Sequence, residues 1–129
     1  MMKYVILGKP IPLARARHSN GHVYDSQTHE KLRAGLYLQN QHGNKPMFEG
    51  PIHFEIIFYF EPTKRKRLIM HGIPHIFKPD TSNLVKFYED VATGILYKDD
   101  CIISSITARK LYDKGEARTE IIITELNSA

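Results

Sequence analysis

The chain has 129 residues, enough to bury a hydrophobic core and too few for two ordinary domains, so a single domain over residues 1–129 is predicted. Hydrophobic residues make up 42% and charged residues 25% of the chain, which is typical of soluble globular proteins. The formal net charge of +4 favours a polyanionic partner, and the single cysteine, Cys101, excludes an internal disulfide and a cysteine-rich zinc site.

The first third of the chain predicts one strand, a loop and one helix. Residues 4–7 form a short apolar run that is ended by a Gly-Lys-Pro sequence, which predicts a first strand. Residues 14–25 contain arginines, asparagine and glycine and predict a loop. Residues 26–40 show a modest helical stripe, with Ser26 as the candidate N-cap.

Three features of the sequence concern its location. The first seven residues are too few for a signal peptide. No apolar run approaches the roughly 20 residues of a membrane-spanning helix. The lone cysteine fits a reducing compartment. The sequence therefore predicts a cytoplasmic protein without a membrane partner.

The middle of the chain predicts a central strand and a basic loop. In Ile52–Phe60 both alternating faces are apolar, as in a strand from the interior of a sheet. Residues 62–77 contain glycine and prolines and predict a loop or a broken helix. This loop carries four consecutive basic residues, Lys64, Arg65, Lys66 and Arg67.

The last half of the chain predicts a second helix and two more strands. The apolar residues of segment 81–93 fall within one helical stripe about 120° wide. Asp80 is placed as its N-cap and Gly94 as its C-terminal stop. Residues 101–111 and 119–126 predict two strands joined as a hairpin. The element order predicts an α+β fold, a small mixed sheet of about four strands with two main helices.

The segment 78–100 places five carboxylates around Lys86 in an otherwise basic protein, and two of them are adjacent at Asp99 and Asp100. Carboxylates located where nucleic-acid electrostatics disfavours them indicate a bound cation. A divalent metal turns their repulsion into attraction and can activate water against a phosphodiester bond.

Each of these residues taken alone also has a structural interpretation. Asp80 is a routine helix cap, although a capping carboxylate keeps an oxygen for a metal. Lys86 and Asp90 are four residues apart and can form a surface ion pair in the less favourable orientation. The adjacent aspartates can form an acidic turn. Taken alone, each residue favours its structural interpretation. What favours a site is that their combined spacing resembles the pattern of a nuclease family.

The spacing resembles the core signature of the RusA-type Holliday-junction resolvases. The consensus of that family is close to PDxDNLxK, followed by an aspartate, then a glycine and then a pair of adjacent aspartates. The residues that carry the resemblance are Pro79, Asp80, Asn83, Leu84, Lys86, Asp90, Gly94, Asp99 and Asp100. An N-terminal pattern is also similar to that of the family and extends the resemblance over nearly the whole chain: Gly8, Pro10, Pro12, Arg15, Arg17 and Tyr24.

The resemblance implies an endodeoxyribonuclease that cuts four-way DNA junctions. It implies that Asp80, Asp99 and Asp100 bind Mg²⁺ or Mn²⁺, cations that prefer hard oxygen ligands. Lys86 is then the group that positions the base or stabilises charge in the transition state. Asp80, Lys86 and Asp100 form the implied catalytic set, and Ser82, Asn83 and Asp90 are supporting residues.

The basic residues are candidates for contacts with DNA phosphates. Next to a nuclease centre, the run from Lys64 to Arg67 is expected to bind phosphates, although such runs are often solvated loops. Arg15 and Arg17 are candidates for junction contacts or for pairing with surface acids. A homodimer is expected, because two nicks related by a two-fold axis need two identical sites.

One departure from the family pattern defines an alternative. Ser82 stands where the family usually has its second aspartate, which removes one negative charge from the site. The alternative function is a catalytically weak junction-binding protein on the same fold. A general or RNA-directed nuclease is a third possibility and would cut unbranched substrates comparably well.

The predicted helix also raises a question of distance. A straight helix from Asp80 to Gly94 is about 20 Å long, which places Asp99 and Asp100 near its far end. Either residues 95–98 double back along the helix, or Asp80 of one subunit meets Asp100 of another across a two-fold axis.

Overall fold

The computed structural model describes residues 1–14, 17–19, 21–66 and 69–126. Two α-helices and six strands lie within these ranges. The strands are β1 (Met2–Leu7), β2 (Arg17–Ser19), β3 (His22–Tyr24), β4 (Ile52–Phe60), β5 (Ile103–Tyr112) and β6 (Arg118–Glu125), and the helices are α1 (Thr28–His42) and α2 (Thr81–Ala92). No helix in the described residues is long and apolar enough to cross a membrane.

Four strands form the main sheet in the order β1-β6-β4-β5. Strands β4 and β5 are parallel, and the other neighbours are antiparallel. Helix α2 lies between β4 and β5 in the chain, as parallel strands require a long connection from one end of the sheet to the other. The α+β fold with a mixed four-stranded sheet and two helices is confirmed, and so is the central position of β4.

The predicted hairpin of the last two strands is wrong. Strand β4 lies between β5 and β6 and bonds to both, so the two strands never pair. Their connection instead crosses the end of β4, where the Asp113 amide donates to the Phe60 carbonyl over 2.9 Å. An apolar strand such as β4 gains most when it is hydrogen-bonded on both edges and covered, which outweighs the local preference for a tight turn.

The predicted loop 14–25 is also partly wrong, because β2 and β3 pair there as a small antiparallel hairpin. Gly21 lies at its turn with φ of +79°, a conformation that favours glycine. Three-residue strands are too short to show a period of two in the sequence.

The two helices pack against one another, and the core lies between them and the sheet. Phe54 and Phe58 of β4 are fully buried, and the ring of Phe58 lies 5.7 Å from that of Tyr88 on α2. Gly35 lets α1 approach the C-terminal end of α2 closely, because a Cβ at this position would lie only 3.2 Å from the side chain of Ile95. The predicted start of α1 at Ser26 is wrong, since Gln27 occupies the N-cap position. Helix α2 ends one residue earlier than predicted, and Gly94 follows it with φ of +88°.

Candidate active site

Asp80 occupies the N-cap position of α2, as predicted, but its side chain makes no capping hydrogen bond. Its backbone carbonyl accepts the first helical bond, from the Leu84 amide over 3.2 Å. The side chain is exposed. The helix therefore leaves both carboxylate oxygens of Asp80 free for another ligand.

Lys110 of β5 holds the backbone that precedes Asp80. Its Nζ donates to the Phe77 carbonyl over 2.7 Å and to the Pro79 carbonyl over 2.8 Å. A charged donor that satisfies two carbonyls anchors the loop to the sheet more firmly than a neutral one would. Lys110 thus sets the position of Asp80, a role that the sequence analysis missed because strand lysines carry no local signal.

Asp99 and Asp100 lie just before β5, where Asp99 caps a short 3₁₀ turn, Asp100–Ile102. The Cys101 amide donates to Asp99 Oδ1 over 3.0 Å, and this bond lowers the pKa of Asp99. The pKa of Asp100 is raised by desolvation, by its hydrogen bond with Asp99 and by the negative charges of Asp99 and Asp90. The two adjacent carboxyl groups therefore differ in their affinity for a proton.

Two acids at the C-terminal end of α2 join this pair. The pKa of Glu89 is raised by burial and by the charges of Asp100 and Asp90. We call Glu89, Asp90, Asp99 and Asp100 the acidic cluster. Glu89 had no assigned role in the sequence analysis, and its adjacency to Asp90 was the signal that could have indicated one.

Asp90 pairs with Lys31 of α1, whose Nζ lies 3.6 Å from Asp90 Oδ2 and 2.6 Å from Asp25 Oδ2. The alternative ion pair between Asp90 and Lys86 is therefore wrong. Lys86 is exposed on the same side of α2 as Ser82 and Asp90, at spacings of four residues. Its charge lowers the pKa of Glu89, so it acts on the acidic cluster through space. Ser82 and Asn83 are exposed on the first turn of the helix.

One chain does not bring Asp80 to the acidic cluster. Helix α2 has 12 residues and therefore spans about 18 Å between them. Residues 94–97 form a tight turn in which the Gly94 amide donates to the Tyr97 carbonyl over 2.7 Å. The Tyr97 hydroxyl donates to the Glu89 carbonyl over 3.0 Å, so the chain returns only to the C-terminal end of α2. Within the described ranges, no three His, Cys, Asp or Glu side chains of one chain converge as a metal site would require.

The predicted DNA contacts are only partly within the described residues. Lys64, Arg65 and Lys66 form a short 3₁₀ turn and are all exposed. Arg17 belongs to β2. Arg15 and Arg67 lie outside the described residues. The exposed turn follows the end of β4, and Pro79, the residue before Asp80, is bonded to Lys110 near the same end of the parallel strand β5.

The sequence profile of the RusA endodeoxyribonucleases matches residues 8–124 of this chain. The chain belongs to the RusA endodeoxyribonuclease family. It is also similar to the uncharacterized protein YqaN of Bacillus subtilis (strain 168), with 26% identity over 140 residues that cover 98% of each protein. Membership of the RusA family confirms the resemblance found in the sequence and supports deoxyribonuclease activity.

Proposed function

We propose that this protein is a divalent-metal-dependent endodeoxyribonuclease that resolves four-way DNA junctions as a homodimer, by paired hydrolysis of phosphodiester bonds. The observation that carries the proposal is the acidic cluster, in which burial, and after it the neighbouring negative charges, raise the pKa values of Asp100 and Glu89. Such uncompensated carboxylates in a chain of net charge +4 are expected where a cation binds.

The donor set fits Mg²⁺ or Mn²⁺. Carboxylate oxygens are the ligands that these hard cations prefer, and the exposed Asp80 and Asp100 have no competing ion pair within the described residues. Asp80, Asp99 and Asp100 would hold the cation. When bound, it lowers the pKa of water and neutralises charge on the phosphate.

We propose that Asp80 of one subunit meets Asp99 and Asp100 of the other. The separation of about 18 Å along α2 keeps them apart within one chain. A two-fold axis that sets two α2 helices side by side and antiparallel would bring the N-terminal end of each to the acidic cluster of the other. Two equivalent sites would result, as paired nicks on two strands require.

The remaining residues act on DNA directly. Lys86 offsets negative charge at the reacting phosphate or orients the attacking water. Backbone phosphates are bound by six basic residues, which positions DNA without reading its sequence. These residues are the exposed run Lys64–Lys66, the following Arg67, and Arg15 and Arg17. Binding should therefore weaken steeply as salt rises.

The test is nicking of a synthetic four-way junction and of a plain duplex in Mg²⁺, Mn²⁺ or EDTA. We expect paired nicks confined to the junction, in either metal and not in EDTA. Comparable cutting of duplex DNA or of RNA would instead indicate a general nuclease. Tight junction binding without nicks in either metal would indicate the catalytically weak binding protein.

Ser82→Asp tests the alternative that follows from the missing aspartate. A further carboxylate on the exposed first turn of α2 adds a charged oxygen donor, so we expect the Mg²⁺ concentration for half-maximal nicking to fall about tenfold. Asn40→Asp adds the same charge at an exposed position of α1 and serves as the control. If the wild-type protein scarcely nicks and Ser82→Asp creates the activity, the binding function is the correct one.

Lys110→Met tests the positioning of Asp80. Loss of these charged hydrogen bonds loosens the loop that carries Asp80. We expect the nicking rate at saturating junction to fall about tenfold, which corresponds to about 1.4 kcal/mol of lost transition-state stabilisation. Lys114→Met, an exposed lysine in the connection between β5 and β6, is the matched control. An unchanged rate for Lys110→Met would show that the Phe77 and Pro79 carbonyls need no anchor.

A further inference from the structure

A cavity of about 900 Å³ opens beside Asp80, at the end of the sheet where β1, β4 and β5 terminate. Its lining includes the last residues of these strands, Leu7, Phe60 and Tyr112, and it reaches Pro79, the residue before Asp80. Its volume lies within the range of about 300–1,000 Å³ that is usual for small-ligand sites.

The floor of the cavity is aromatic. His75 stacks on Phe60 with ring centroids 4.2 Å apart and an interplanar angle of 23°, and it lies 4.9 Å from the ring of Tyr112. Phe77 meets His75 edge-on at 6.2 Å and is 64% exposed at the rim. Burial and the charge of Lys110 lower the pKa of His75, so its ring is neutral at pH 7. A flat ligand would find flat, uncharged rings here.

The rim of the cavity is positive. Four basic and two acidic side chains line it, Lys9, Arg33, Lys66, Lys78, Glu61 and Glu116. Within the described residues none of the four basic groups forms an ion pair. Arg33 is held in place over the Tyr37 ring at 5.4 Å and against Gly8, where a Cβ would lie 3.1 Å from the guanidinium. The rim therefore suits an anion attached to the flat ligand.

We propose that this cavity binds one unpaired nucleotide of the DNA substrate, with its base stacked against the exposed Phe77 ring beside the aromatic floor and its phosphate at the basic rim. A duplex keeps its bases inside the stack, so only a nucleotide displaced at a branch can enter. Base stacking on aromatic side chains and phosphate contacts are the usual means of holding single strands. The inference rests on the proposed function for its choice of DNA, and it adds a means of selecting branched over regular duplexes.

The experiment compares two DNA duplexes in EDTA, which prevents cutting. One carries a single extra nucleotide, and the other carries an extra abasic site at the same position. Fluorescence anisotropy at fixed salt gives the two dissociation constants. We expect the base to tighten binding about tenfold, in line with stacking on one aromatic platform. Equal affinities for the two duplexes would overturn the proposal.

Variants at the rim identify the residue responsible. Phe77→Ala should reduce the preference for the base to about twofold or less, and Phe77→Tyr should retain it, because stacking needs the ring. Ile76→Ala is the matched control: Ile76 is the adjacent residue, is 80% exposed and does not line the cavity. A preference that survives in Phe77→Ala would overturn the assignment. So would dAMP binding more tightly than the bulged DNA, which would assign the cavity to free nucleotides.

Junction nicking in Mg²⁺, measured on the same preparations, separates the two proposals. If the junction is cut but base and abasic site bind equally, the cavity proposal fails and the nuclease stands. If the base preference is present and lost in Phe77→Ala while no junction is cut, the cavity proposal stands and the nuclease fails.

Discussion

Replacing Asp100 with asparagine is expected to lower the rate of junction nicking by about 100–1,000-fold, since a metal ligand contributes several kcal/mol to the transition state. Asp100 is the carboxylate of the pair whose charge is least compensated, because the Cys101 amide already stabilises Asp99. Asparagine keeps the shape of the side chain and removes the charge that a cation needs. Single-turnover nicking of a labelled four-way junction in Mg²⁺ measures the effect.

The same variant should still bind the junction in EDTA at least as tightly as the wild-type protein. Without metal, a carboxylate at the site only repels the phosphates, so its removal cannot weaken binding through charge. Glu30→Gln removes one exposed carboxylate on α1 and serves as the control for net charge. Nicking by Asp100→Asn at the wild-type rate would remove Asp100 from the catalytic set.

Two inactive variants are expected to restore activity when their subunits are mixed. Asp80→Asn and Asp100→Asn should each be inactive alone, because every site of the proposed shared kind then lacks one of its proposed ligands. In a mixed dimer, one site carries both asparagines, and the other combines the intact Asp80 of one subunit with the intact Asp100 of the other. Random pairing makes half of the dimers mixed, so the mixture should recover about a quarter of the wild-type sites.

The products of the mixture provide a second readout. A dimer with one intact site should nick one strand of the junction and fail to resolve it, whereas the wild-type dimer nicks both. Each variant is mixed with itself as the control. No recovery in a mixture whose subunits have exchanged would show that Asp80 and Asp100 act in separate sites or within one chain, and the shared site would be wrong.

Helix α2 and strand β4 could be predicted from the sequence because their patterns are local and strong. The apolar stripe of α2 repeats over more than three turns and ends at Gly94, which adopts a positive φ. Strand β4 is apolar on both faces, and this alone indicates an interior position. Helix α1 has a weaker pattern, and its N-cap lies at Gln27, one residue after the predicted Ser26. The motif from Pro79 to Asp100 also indicated the correct family, because the spacing of its charged residues is a property of the linear sequence and needs no tertiary structure.

The pairing of β5 could not be predicted in the same way. A turn sequence with glycine between two strands favours a hairpin, yet β4 inserts between β5 and β6. The choice depends on which strands form hydrogen bonds along the two edges of β4. Strand β4 lies about 50 residues before β5 in the chain. No local pattern contains that comparison.

The candidate site also has features that local sequence patterns predict and features that depend on long-range packing. The sequence by itself determined the fold class, the main helix and the charged residues of the family motif that are the candidates for the chemistry, because each depends on neighbours within a few turns or pleats. Only the tertiary structure decided that Asp80 and Asp100 lie at opposite ends of α2, that Lys110 anchors the loop before Asp80, and that Phe60, His75 and Tyr112 form one aromatic floor. These arrangements join residues far apart in the chain, and the packing of the whole sheet and its helices determines which of them meet.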